Sequence, residues 1–206
     1  MKIALTTQWD DAFAQVAKLT IPIMQEYCLR WGYSFHALHF QNGDVIKARS
    51  RVIAKLLPEY DIVVHVDADC LLTNLAMSIC DVQEIGSRWN VSASGNGGQI
   101  NDGVCIWRKS ETTEIFLNNH IAGKYGDVIL QDAVAMEPSL IVRNPSCQKI
   151  NACLPEEYDP VMPEYTRWTK GSFCLHLLAM DNERRVRLIS EHLNQIIRLS
   201  SLLKNN

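Results

Sequence analysis

Asp67 and Asp69 stand one residue apart directly after Ile62-Val63-Val64-His65-Val66, a run of mostly β-branched residues fit for a parallel strand buried on both faces. Open α/β sheets bind ligands at the carboxyl ends of such strands, and two carboxylates brought together there repel one another. A bound cation removes the repulsion. Hard oxygen donors suit magnesium or manganese, ions that keep coordination positions for water and for the phosphates of a substrate. A D-x-D pair also occurs as a turn or a helix cap, so the weight of this reading rests on the surrounding chain. Ahead of the strand, Lys47 and Arg51 lie four residues apart on what reads as one helix face, placed to meet a diphosphate, while Arg49 points away. Ordinary solvated charge is the competing description of these basic residues.

The elements that carry these residues alternate. Lys2 to Thr7 predicts a buried strand. From Asp10 the apolar residues Phe13, Val16, Ala17, Ile21, Met24, Tyr27, Cys28 and Trp31 return at helical spacing, with Asp10 as cap, Gly32 as stop and Pro22 as a kink or restart. Tyr33 to Phe40 predicts a second strand, Asn42-Gly43-Asp44 a turn, and Lys47 to Leu57 a helix closed by Pro58. With the Ile62–Val66 strand this is the opening of a doubly wound α/β sheet. Val91 to Ser94 and Gly103 to Trp107 predict strands on either side of a flexible Gly95-Asn96-Gly97-Gly98. Helices are expected at Glu111 to His120 and Val128 to Met136, then a last strand at Ser172 to Leu177 and a terminal helix from Asn182 to Leu203. Asn144 to Lys170 has few periodic positions and predicts irregular backbone over the ligand-binding face.

The 206 residues, 47% apolar and 21% charged, suffice for one compact domain, so a single domain spanning 1–206 is expected. Twenty basic residues against 23 acidic ones, a net charge of -3, speak against the basic footprint of a nucleic-acid binder. Seven cysteines without a C-x-x-C pair argue for reduced thiols. Met1 to Trp9 has neither the apolar run of a signal peptide nor the length of a membrane span, so a soluble, cytoplasmic protein is expected. Arg184, Arg185 and Arg187 are expected on the wet side of the last helix, where a basic face could also touch a membrane surface or another subunit.

Lys47 to Leu72, KARSRVIAKLLPEYDIVVHVDADCLL, resembles the segment of GT-A glycosyltransferases in which a basic helix and an acidic-aromatic turn lead to a hydrophobic strand and a D-x-D motif. The likeness is nearest to the galactosyl-, mannosyl- and xylosyl-transferase branch. Glu26 to Phe35 is similar to the pattern that ends the first helix in that family. Asn101-Asp102-Gly103-Val104 resembles its N-x-G-V sequence, Leu130-Gln131-Asp132 its acidic-amide helix start, and Phe173-Cys174-Leu175-His176 its late strand ending in a histidine. No one of these motifs is specific, but their order along the chain is. Where family members often carry a glycine soon after the late histidine, this chain has Leu177-Leu178-Ala179, so the backbone contact to the diphosphate is expected to differ.

The resemblance implies a GT-A sheet, mostly parallel and flanked by helices. It implies transfer of a sugar from a UDP- or GDP-sugar to a hydroxyl of a glycan, a lipid-linked acceptor or a small molecule, dependent on Mn2+ or Mg2+. The implied metal set is Asp67, Asp69 and His176, with Asp69 binding the ion directly and Asp67 acting through water or on the ribose hydroxyls instead. Asn101 and Gly103, with Lys47, Arg51 and Asp67, are expected at the donor, the glycine letting backbone approach the sugar. Asp102 and Asp132 are the candidate general bases of an inverting reaction; in a retaining one, which the branch favours, Gln131 or Asp132 steadies the oxocarbenium charge. Trp89, Trp107, Tyr165 and Trp168 offer faces for a sugar, Trp168 foremost because it lies in the irregular segment, although tryptophans in a domain of this size serve chiefly as core. Lys170 is a further phosphate candidate.

Two other functions stay open: a non-catalytic module that binds a nucleotide sugar, and another magnesium-dependent phosphoryl- or nucleotidyl-transfer enzyme. Against a nucleotidyl transferase, Leu5-Thr6-Thr7-Gln8-Trp9 lacks the glycine-rich, lysine-containing loop such enzymes place after the first strand.

Overall fold

Strands that are apolar without alternation need cover on both faces, and here they have it. In the computed structural model, which describes residues 1–40, 45–83, 90–96, 99–143, 150–153, 166–169, 171–178 and 180–191, the first three strands are parallel. They are β1 (Ile3–Trp9), β2 (Ser34–His39) and β3 (Ile62–Val66), joined through α1 (Ala14–Trp31) and α2 (Val45–Leu56). With β5 (Val91–Asn96), β6 (Gln99–Arg108) and β7 (Val142–Arg143) they make a six-stranded sheet in the order β2-β1-β3-β6-β5-β7. β6 runs antiparallel to both β3 and β5, while β7 is parallel to β5. The expected α/β sheet is therefore present, with one strand reversed.

Successive residues of each strand face opposite layers. Ile62, Val64 and Val66 pack with Val104 and Ile106 against α1, whereas Val63 packs with Cys105 and Trp107 against α2, α4 (Glu111–Ile121) and α5 (Leu130–Met136). Each such buried aliphatic contributes roughly 1.5–3 kcal/mol. A charged residue at Val64, which is fully buried, would therefore break the layer. Asp10 caps the turn into the first helix by accepting from Phe13 N at 3.1 Å, and Gly32 closes α1 at φ 67°, a conformation that strains any side chain. α1 passes through Pro22 without a break, so no restart occurs there; Ile23, Met24, Tyr27 and Cys28 are buried beyond it and hold the helix on the sheet.

Three elements lie outside the expectations drawn from the sequence: α3 (Ile79–Gln83), β4 (Cys70–Leu72) and the short β7. β4 pairs antiparallel with β8 (Cys174–His176) in a separate two-stranded sheet, with Cys70 opposite His176. Residues 182–191 form a last helix, α6, whose Leu188 and Ile189 join the layer of α1. Within the segment expected to be irregular, Ala152 bridges Leu175 and Cys153 bridges Arg167. Gly97, Gly98, Trp89, Tyr165, Lys170 and the terminal helix beyond residue 191 lie outside the described residues. No helix among the described residues is long and apolar enough to cross a membrane.

Candidate functional site

β3 delivers Asp67 to the carboxyl edge of the sheet, and backbone bonds fix the turn that follows. Asp67 N donates to Gly103 O at 2.8 Å, Cys70 N to Asp67 O at 3.0 Å, and Thr20 Oγ1 of α1 to Ala68 O at 2.8 Å. The chain passes there from the large sheet into β4. Because Cys70 opposes His176 in the β4–β8 ladder, Asp69 arrives beside the imidazole, with its Oδ1 3.5 Å from His176 Nε2. Cis ligands of an octahedral ion bound at about 2.1 Å stand about 3.0 Å apart, so a closing movement of about half an ångström would set both atoms on one ion. His176 Nδ1 is buried without a hydrogen-bond partner. Asp69 and His176 thus fit a divalent cation. Cys70 Sγ lies within 4.8 Å of their ligand atoms, but burial, and then Cys174, push its thiol well up, and the Sγ is turned to Gly103 O at 3.5 Å. A protonated thiol is no ligand for a hard ion.

Asp67 is held differently. Its Oδ1 accepts from Arg49 Nη2 at 2.6 Å and from His65 Nε2 at 3.0 Å. Burial raises its pKa, yet the Arg49 guanidinium and the His65 bond hold it well below the usual carboxylate range. Burial, and then Arg49, push the His65 pKa down, so the ring is neutral and its Nε2 carries the proton given to Asp67. Arg49 also pairs with the Asp102 carboxylate and donates from Nη1 to the Asp102 carbonyl at 3.2 Å.

These residues line a cleft of ≈ 510 Å³. Its wall is built from Gln8, Trp9 and Asp10 at the end of β1, Asp67 to Asp69, Asn101 and Asp102 of β6, Ile129 to Gln131 at the start of α5, and His176 and Leu178. The reversed direction of β6 is what brings its first half to this edge. Asn101 Oδ1 accepts from Gly103 N at 3.0 Å and from Asn151 Nδ2 at 2.8 Å, so its acceptor is occupied and its amide donor is left for the cleft.

Of the site residues expected from sequence, Asp67, Asp69, Asn101, Asp102, Gln131 and His176 share this wall. Lys47, Arg51, Gly103 and Asp132 do not line it: Lys47 Nζ reaches Asp127 at 3.4 Å, and Arg51 and Asp132 are exposed. Arg49, expected to point away, is the basic residue of α2 that lines the cleft. It precedes buried Ile53 by four residues and buried Leu56 by seven, which is the spacing of one helix face, and that signal was present in the sequence. The same signal was present for Arg185. Expected on the wet side of α6, it is 8% exposed, stands three and four residues before buried Leu188 and Ile189, and puts Nε 3.2 Å from Asp69 Oδ2.

Gly103 has a different reason from the one expected. A Cβ there would lie 2.5 Å from His176 Nδ1, so the glycine makes room for the imidazole rather than for a sugar. Trp107 is core, stacked on Phe116 at 5.9 Å, and Trp168 donates from Nε1 to Thr73 Oγ1 at 2.9 Å; neither lines the cleft. The aromatic residues that do are Trp9, Phe13 and Phe40; of these only Phe13 stood out by its spacing, as part of the apolar face of the first helix.

No family model matches this chain, and no curated protein matches it. Solved structures do. A glycosyltransferase involved in the glycosylation of the major capsid of PBCV-1 is similar at 17% identity over 93% of this chain and 100% of that one, with a TM-score of 0.71. The galactosyltransferase LgtC, in complex with donor and acceptor sugar analogues, is similar at 13% identity over 91% and 95% of the two chains, TM-score 0.54. Mouse xyloside xylosyltransferase 1 is similar at 10% identity over 87% and 98%, TM-score 0.55. With strand order, reversed strand and edge cleft as described, the chain has the GT-A glycosyltransferase fold.

Proposed function

We propose that this chain transfers a sugar from a UDP- or GDP-type nucleotide-diphosphate donor to a hydroxyl of an acceptor, with a divalent cation and with retention of configuration. The observation that carries the reading is the β4–β8 pairing, which sets Asp69 and His176 3.5 Å apart on the wall of a cleft at the ligand-binding edge of the sheet. A divalent cation bound there, Mn2+ or Mg2+, supplies positive charge to a diphosphate as the anomeric bond breaks.

The chain's own groups do the rest. Asp67, whose Oδ1 is taken by Arg49 and His65, offers Oδ2 to donor hydroxyls or to ion-bound water. Asn101 donates its amide to the donor sugar, and Gln131, which also lines the cleft, steadies the charge that develops at the anomeric carbon. Retention follows the branch this chain resembles, and it asks for no general base from a wall whose acids are already engaged through at least one oxygen: Asp10 caps Phe13 N, Asp67 and Asp102 hold Arg49, and Asp69 faces His176 and Arg185. A general base needs a carboxylate open to the acceptor proton. In a retaining reaction the departing phosphate receives that proton instead.

The test is a screen of nucleotide sugars for Mn2+-dependent release of free nucleotide. Release from one donor class, abolished by chelation and by Asp69→Asn, is expected; release that chelation leaves unchanged contradicts the metal role. A module that binds a nucleotide sugar without turnover is the second reading, favoured by the Asp69–Arg185 ion pair. Tight donor binding with no release, across a panel of acceptors, would favour it.

A further inference from the structure

Asp69 has a second neighbour that sugar transfer does not require. α6 starts beside the cleft, with Asp181 Oδ1 accepting from Arg184 N at 2.8 Å and Asn182 Nδ2 donating to Ala12 O at 2.6 Å. The face that buries Leu188 and Ile189 also buries Arg185. The Arg185 guanidinium lies 5.1 Å over the Phe13 ring and donates from Nη1 to Asn182 Oδ1 at 2.8 Å. Its Nε donates to Leu177 O at 3.0 Å and stands 3.2 Å from Asp69 Oδ2. Since the single Nε proton goes to the Leu177 carbonyl, what this nitrogen brings to Asp69 is chiefly charge. A guanidinium does not lose its proton in a protein, so the charge is permanent.

The cost of a buried carboxylate is met by hydrogen bonds, by uptake of a proton, or by a positive charge, whether a resident side chain or a bound ion. Here the resident cation sits on Oδ2, while Oδ1 faces His176. We propose that Arg185 is a built-in counter-ion for Asp69. It balances the charge of the carboxylate and keeps the β4–β8 corner folded when no metal is bound. Lying beside the position a cation would take, it also lowers the affinity for a free divalent ion, so that the ion is taken up together with the negative charge of a nucleotide diphosphate. This inference rests on the metal reading of Asp69 and His176 and adds a residue that tunes it.

The experiment is a calorimetric titration of Mn2+, alone and with saturating UDP or GDP, into the wild type, Arg185→Met and Arg185→Lys. Methionine keeps an unbranched apolar stem and removes the charge. Arg185→Met is expected to bind free Mn2+ about tenfold tighter or more, equal to about 1.4 kcal/mol. Its gain in Mn2+ affinity from nucleotide is expected to shrink, and its thermal stability to fall without metal and recover with it. Arg185→Lys, which restores charge, is expected to stay within about threefold of wild type. Unchanged or weaker Mn2+ binding by Arg185→Met overturns the counter-ion. If the wild type gains from nucleotide while Arg185→Met binds free Mn2+ as before, only the counter-ion falls. A wild type that gains no Mn2+ affinity from UDP or GDP overturns both the joint uptake and the metal reading beneath it. Should Arg185→Met fail to fold in metal-free buffer, refolding in millimolar Mn2+ decides. Recovery supports the proposal, and failure while Arg185→Lys folds normally overturns it.

Discussion

Asp67 and Asp69 are separated by one alanine and belong to two different regions. Asp67 closes the large sheet, and its partner Arg49 comes from α2, in the layer of Trp107 and Phe116; the contacts are short, 2.6 Å to Arg49 and 3.0 Å to His65. Asp69 opens the small sheet, and its partner Arg185 comes from α6, in the layer of α1; its contacts are longer, 3.2 Å to Arg185 and 3.5 Å to His176. A carboxylate gripped by charge-assisted hydrogen bonds has a fixed position and little left to give, whereas one held at longer range can accept a new ligand without breaking a strong bond. The comparison teaches that repulsion between the two acids is not what calls for a cation here, because each carries its own arginine. What fits an ion is the geometry of Asp69 and His176.

The largest consequence falls on the loosely held side. Asp69→Asn should lower metal-dependent turnover by roughly a hundredfold or more and, because it leaves the buried Arg185 charge without its partner, also lower the melting temperature while the protein still folds, measured by nucleotide release and calorimetry. A comparable loss from Asp67→Asn, with its Mn2+ affinity falling as far, would erase the distinction between the two acids. Next comes Gly103→Ala, whose Cβ must displace the His176 ring; Mn2+ affinity in the presence of nucleotide is expected to fall about tenfold or more.

On the tightly held side the effect should appear as stability. Arg49→Met strips the cation from Asp67 and Asp102 and is expected to cost about 3 kcal/mol by chemical denaturation. The pH dependence has a definite sign. The folded-state pKa of Asp67 is depressed, so its contribution is present above the unfolded value of about 3.9 and is lost as pH falls through the lower folded value. Arg49→Met should therefore begin acid unfolding at a higher pH than wild type, and an unchanged acid limb would contradict the pairing. The smallest effects belong to Lys47→Ala and Arg51→Ala, side chains off the cleft wall, each expected to change nucleotide affinity by less than about threefold. A tenfold loss from either would return α2's outer face to the site.

Much of the frame was legible because it is written in local periodicity. The run Ile62–Val66 and the three- and four-residue spacing of Met24, Tyr27, Cys28 and Trp31 each describe their own element without reference to a partner. The direction of β6 and the existence of β4 were not legible, since a strand's own residues do not say which neighbour it pairs with or in which sense; Cys70-Leu71-Leu72 reads as a continuation of the turn until β8 is beside it. Within the site, the order of motifs placed Asp69 and His176 together, and they stand in one corner. The two arginines escape the sequence for different reasons: the four-residue spacing of Lys47 and Arg51 puts Arg49 on the other face of its helix, and Arg185 in a cluster of basic residues reads as solvated charge. Arg49 and Arg185 both occupy positions whose helical neighbours are apolar and buried, and a long side chain at such a position carries its charge along the core to the sheet edge.

The central claim is that Asp69 and His176 together hold the cation that grips a nucleotide diphosphate. Its most direct test is the thermal shift given by UDP and GDP with and without Mn2+, measured in the wild type and in His176→Ala. A shift from nucleotide and Mn2+ together that exceeds the sum of the separate shifts in wild type, and falls to that sum in the variant, is the predicted result. An equal joint shift in both proteins would contradict it.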